Sequence, residues 1–111
     1  MSSTIILDDV KNFIGTIYDD SFDTQLCITI NGYLHELNQI NAGKTLDLMS
    51  APESTWDDFF DLQVGNRSEA IKFVCYRTKL DFDPPLPATI NAMTSAANEA
   101  YWRARLEFDN T

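Results

Sequence analysis

The sequence predicts an all-α fold, and three observations carry that reading. Apolar residues recur at threes and fours through most of the chain. Phe82-Asp83-Pro84-Pro85 is an abrupt stop between two such stretches, because neither proline can donate a helical hydrogen bond and each pushes the residue before it toward extended geometry. The β-like alternation of Cys27-Ile28-Thr29-Ile30 lies inside a longer helical pattern, so it does not make a strand. The expected architecture is a small bundle of four principal helices. A long loop and one short extra turn lie between the second and third, and the C-terminal helix is long. Length favours a single domain over residues 1–111, with no internal repeat.

Taking the elements in order, Leu7, Val10, Phe13, Ile14 and Ile17 mark a short amphipathic first helix. Asp8 and Asp9 fall in its first turn, where negative charge meets the positive end of the helix dipole. Gly15 loosens its end. Tyr18-Asp19-Asp20-Ser21 reads as a turn, with Asp20 the expected cap of the second helix and Asp23 in its first turn. Phe22, Leu26, Ile30, Tyr33, Leu34 and Leu37 follow at helical spacing, with Cys27 beside them. Gly32 interrupts this helix at a cost of about 1 kcal/mol relative to alanine. The helix should end near Gln39 or Ile40, before the polar Asn41-Ala42-Gly43.

Gly43 to Thr55 is the least regular stretch, and Pro52 breaks whatever precedes it. Ser54 or Thr55 is expected to cap one short turn whose Trp56, Phe59 and Phe60 dock the loop on the core. Asn66-Arg67-Ser68-Glu69 has the form of a capping box. The helix it opens carries Ala70, Phe73, Val74, Arg77 and Leu80, with Ile71 and Cys75 on an adjoining face. After the corner formed by Asp83, Pro84 and Pro85, Pro87 suits the first turn of the last helix. Ile90, Met93, Ala97, Tyr101, Ala104 and Phe108 then form one apolar face over about six turns. Glu99 with Arg103, and Arg103 with Glu107, sit four apart and should contribute a few tenths of a kcal/mol each.

The charge balance narrows the function classes. Seventeen acidic against eight basic residues give a net charge of −9. Uniform binding to a phosphate backbone needs clustered Lys and Arg, and the basic residues here form no run. Solubility, repulsion of nucleic acid or a basic protein partner fits better. Ser2 to Asp9 lacks the basic start and apolar run of a signal peptide, and no apolar run approaches the roughly eighteen residues of a membrane span. The expectation is therefore a protein made in a cytosol, with no membrane contact and with Cys27 and Cys75 as reduced core thiols.

No pattern in the chain points to catalysis, a cofactor or a metal. His35 has no nucleophile linked to it in sequence and reads as a surface or partly packed histidine. Asp19, Asp20 and Asp23, like Asp57, Asp58 and Asp61, offer oxygen ligands but lack the glycine and final glutamate of an EF-hand loop. They read as solvated helix starts. Asp81 and Asp83 read as turn residues. Trp102, with Arg103 and Arg105 near the C-terminus, belongs to the residue types favoured at binding hot spots. It can equally cover the bundle while the arginines offset the negative end of the helix.

Leu7-Asp8-Asp9-Val10-Lys11-Asn12-Phe13-Ile14, then Asp19-Asp20-Ser21-Phe22-Asp23 leading a second helix, then Leu80-Asp81-Phe82-Asp83-Pro84-Pro85 before a last helix with Trp102-Arg103-Ala104-Arg105-Leu106, together resemble one family. It is the small head–tail connector proteins of long-tailed phages, also called adaptor or head-completion proteins. Ile6 departs from the pattern by standing where a capping Ser or Thr often stands. The resemblance implies a ring of copies, commonly twelve-fold, assembled in the host cytoplasm beneath the portal vertex of a filled head. At this head–tail junction of the virion the ring binds the portal protein, extends the DNA channel and supports a stopper or tail-completion protein. DNA passes without sequence-specific binding. The role needs faces and no catalytic residues. On this reading Asp83, Pro84 and Pro85 form the corner. Trp102, Arg103 and Arg105 are candidate partner contacts, and so is the long loop with Leu46, Leu48 and Met49, whose mobility would suit ordering on assembly. The alternative is a monomeric acidic binding protein, a DNA mimic or an inhibitor of a basic enzyme, which the charge alone supports.

Overall fold

A computed structural model of the chain describes residues 5–15, 20–40, 43–60, 67–82 and 86–109, with side chains as far as residue 106. The helices are α1 (Ile6–Ile14), α2 (Asp23–Gln39), α3 (Trp56–Phe59), α4 (Arg67–Phe82) and α5 (Pro87–Asp109). Among the described residues there is no strand, only an isolated antiparallel bridge between Ile5 and Thr55. The all-α bundle, the second helix ending at Gln39 and the last helix opening at Pro87 match the spacing in the sequence. The corner residues Asp83, Pro84 and Pro85 lie outside the described residues, as do Asn66, Asp61, Ile17 and the Phe108 side chain.

The core is built around α4. Ala70, Phe73, Val74, Cys75 and Thr78 are all buried, and α4 packs against α5, α2 and α1. Three neighbours spread its buried residues over a broad arc, with charged residues between them in sequence, so α4 shows less of a single apolar stripe than a helix with one buried side. From α5 the buried residues are Ala97, Ala100 and Ala104. Small side chains let α5 approach α4 closely. Phe73 and Tyr101 fill the space beside them, with ring centroids 4.9 Å apart. Ile90 and Met93, expected on this face, are only partly buried.

Helix α1 begins without a side-chain cap. Its N-cap is Ile5, and the loop takes over the capping: the Ile6 N–H donates to the Ser54 carbonyl at 3.0 Å. Trp56 Nε1 donates to Asp9 Oδ2 at 2.9 Å, fastening α3 to α1. Thr55 caps α3 in a full capping box with Asp58. Trp56, Phe59 and Phe60 are buried, so these aromatics do dock the loop on the core.

Two expectations about the start of α2 and the face of α1 are corrected. Asp20 does not cap α2 through its side chain; Phe22 is the N-cap. The Asp20 carboxylate lies 2.9 Å from the Lys11 ammonium instead, which also meets Asp23 at 2.8 Å. Lys11 is only 3 % exposed, so burial of this cation draws both carboxylates to it. Phe13, read as a core residue, is 42 % exposed, because α4 covers only part of that face of α1.

Two packing details give stability predictions. A Cβ on Gly43 would lie 2.3 Å from the Phe59 ring, and the adjacent Lys44 N–H donates to the Phe59 carbonyl at 2.7 Å, holding the two segments together. Gly43→Ala should therefore destabilise the protein by about 1–3 kcal/mol in urea unfolding, the range for overpacking. Thr78 Oγ1 is buried with no hydrogen-bond partner among the described residues. Thr78→Val keeps the shape and removes the desolvated hydroxyl, so the same experiment should show a gain of roughly 1 kcal/mol.

Candidate interaction surfaces

Helix α5 is 23 residues long, whereas α4, its main packing partner, has 16. At about 1.5 Å per residue that is a difference of roughly 10 Å. The contacts Arg77–Asn98 and Arg103–Glu69 fix the two helices as antiparallel. No comparably extensive contact joins α5 to α1, α2 or α3. One side of α5 therefore lies on α4 and the other faces outward. Trp102 is 55 % exposed and Leu106, one turn on, 50 % exposed. The Arg105 guanidinium lies 5.8 Å from the centre of the Trp102 ring. Arg103 makes the expected pair with Glu99, and it also reaches Glu69 on α4 at 3.7 Å.

A second surface is a groove of about 280 Å³ between α1 and α4, lined by Asp9, Asn12, Phe13, Ile71, Lys72, Cys75 and Tyr76. Phe13 and Tyr76 pack on each other, with ring centroids 5.5 Å apart, and form one aromatic side of it. Burial, aided by Asp9, pushes the Cys75 thiol up to about 12, so it lines the groove as an apolar, unreactive side chain. The sequence singled out neither Phe13 nor Tyr76 as a surface residue. Periodicity places an aromatic on a helix face but does not tell how far its neighbour covers it.

The loop residues separate. Leu48 is fully buried and Leu46 packs against the core, while Met49 is exposed. Of the three loop candidates, only Met49 offers a large apolar side chain to a partner in this conformation. The loop is also tied down. The Asp47 carboxylate accepts from the Met49 N–H at 2.9 Å, from Ser50 Oγ at 2.9 Å and from Asn31 Nδ2 at 2.8 Å. Asn31 in turn accepts from the Leu48 N–H at 2.8 Å. These bonds lay the stretch as a shelf against α2.

The charge is unevenly divided. Residues 1–66 hold eleven acidic and two basic residues and so carry the whole −9, whereas residues 67–111 hold six of each. Several acids already have structural partners: Asp20 and Asp23 on Lys11, Asp57 on Arg67 at 2.7 Å, and Asp58 in the α3 cap. Among the described residues no group of three or more His, Cys, Asp or Glu is placed to hold a metal ion. Nor is any helix there long and apolar enough to cross a membrane.

The outward side of α5 and the α1/α4 groove are surfaces a partner can meet. Comparison with known families narrows the role: the phage connector protein family matches residues 6–111. The chain belongs to that family. No curated protein and no solved structure matches it. The match spans α1 to α5 and makes the chain a structural component of a phage virion at the connector, a role that involves contact with portal or other head and tail proteins.

Hydrogen bonds from Met49, Ser50 and Asn31 hold the Asp47 carboxyl below the usual carboxylate range. Its folded pKa is thus lower than its unfolded one. The bonds contribute fully above the unfolded value and are lost as pH falls through the folded value. Hydrogen exchange at the Met49 amide, corrected for intrinsic rates, should accelerate on acidification below about pH 4. In Asp47→Ala it should be fast at every pH; slow exchange in that variant would mean that other contacts hold the loop.

Proposed function

We propose that this connector-family protein forms a ring beneath the portal vertex, extends the DNA channel and joins the filled head to the tail or to the next connector component. The observation that carries this reading is the family match across residues 6–111. The outward side of α5 supports it. Trp102 and Leu106 on a helix packed mainly against one neighbour suit a contact completed by another chain. Copies of one chain close into a ring when one surface meets a different surface and the rotation fits.

The charge distribution suits a channel component. With the excess negative charge in residues 1–66, a ring that turns part of α1, α2 or the loop toward its lumen repels DNA phosphates and lets a duplex pass without gripping it. A lumen found to be predominantly basic would remove this part of the reading.

The deciding experiment adds the purified protein to DNA-filled, tailless heads and images the portal vertex. A symmetric added ring supports the connector role. Absence of binding to its own portal, combined with tight 1:1 binding to a basic nucleic-acid enzyme, would favour the acidic inhibitor instead. Trp102→Ala should weaken ring or portal binding at least tenfold while circular dichroism stays unchanged, because more than half of that side chain lies outside the core. Equal loss of helicity and binding would show that Trp102 supports the fold.

A further inference from the structure

We propose that the outward face of α5, with Trp102 as anchor and Leu106 beside it, docks into the α1/α4 groove of a second copy of the chain. This rests on the ring reading and names its two complementary surfaces. Helices α1 and α5 both pack on α4 but make no extensive contact with each other. The groove and the Trp102 face therefore flank different sides of the molecule. Each copy offers one donor face and one acceptor groove, as a head-to-tail contact requires.

Size and chemistry match the two surfaces. An apolar cavity of about 150 Å³ takes a benzene. The groove, at about 280 Å³, is suited to the two fused rings of an indole. Its volume lies at the low end of small-molecule pockets. The packed pair Phe13 and Tyr76 supplies an aromatic side for the indole to lie on, and Ile71 and Cys75 supply apolar lining. The smaller cavity beside the loop, about 200 Å³ and lined by Leu7, Cys27, Leu48 and Met49 with Asp23, offers no aromatic ring.

Charge also selects this orientation. Two copies meeting through their acidic first halves would repel. Against the α1 side of a neighbour, α5 presents exposed Arg105, with Arg103 already paired to Glu99 and Glu69, whereas exposed Asp8 and the groove residue Asp9 lie in the first turn of α1 and Lys72 is the one basic residue of the groove lining. With Trp102 in the groove, Arg105, whose guanidinium lies 5.8 Å from the centre of the Trp102 ring, is carried toward these carboxylates.

The test places the photo-cross-linker p-benzoylphenylalanine at position 102 and assembles the ring from a mixture of ¹⁵N-labelled and unlabelled chains on tailless heads. Cross-linked peptides are then mapped by mass spectrometry. The expected result is a link from position 102 to peptides containing Phe13 or Ile71 to Tyr76, joining a labelled chain to an unlabelled one. In parallel, Phe13→Asp should keep its circular dichroism and raise the concentration needed for ring formation at least tenfold. Rings that form but link position 102 to α2, to the loop or to the portal overturn this docking and leave the ring reading standing. Wild-type protein that adds no ring at all overturns both.

Discussion

The packing of α4 against three helices is the constraint on which the rest depends. Phe73 and Val74 are buried in the centre of the molecule, and Ala70, Cys75 and Thr78 extend that burial around the helix. Once α4 is enclosed by α1, α2 and α5, each of those helices has one side spent on it and another left over. For α5 the inner side is alanine, which brings the two backbones together without bulky contacts. The outer side keeps the tryptophan. For α1 the inner side is Ile6, Val10 and Ile14, and Phe13 is left at the edge. The surfaces available to a partner are thus consequences of how the core is filled.

Polar contacts then hold the less regular parts against this core. Lys11 is buried at the junction of α1 and α2, where it draws Asp20 and Asp23 together. Loss of one partner from such a site leaves a desolvated charge, which makes the arrangement a constraint on geometry more than a source of net stability. Hydrogen bonding to Asp23 is the main cause that raises the ammonium above its ordinary pKa, opposed by desolvation. Further along α2, Tyr33 donates to Asp81 and links α2 to the last turn of α4. Burial, with the same hydrogen bond, pushes the phenol up, so it remains a donor across the physiological range.

Here Asp47, Asn31 and the Ser54 carbonyl tie the loop to α2 and α1. A preformed surface loses little conformational entropy on assembly. The uneven charge adds direction. An acidic first half and a balanced second half disfavour like-to-like pairing and favour contact between unlike surfaces.

The helices were legible in the sequence because their signals are local. Leu26, Ile30, Leu34 and Leu37 lie at helical spacing, Thr55 precedes a short turn it caps, and Pro87 opens a helix whose first turn tolerates it. The family was legible for a related reason, since order and spacing of such local features survive in the chain itself. Three things depended on tertiary structure. Asp20 as a cap and Asp20 as a partner of Lys11 look the same in sequence, and burial of the ammonium decides between them. Phe13 and Leu48 show equal hydrophobicity, yet one lies at the rim of a groove and the other inside the core, according to which neighbours reach them. Trp102 lies one residue from the apolar row of α5, and only the position of α4 shows that it points away from it. Periodicity sets a side chain's angle around its own helix; how much of that angle becomes buried is set by the helices that arrive from elsewhere in the chain.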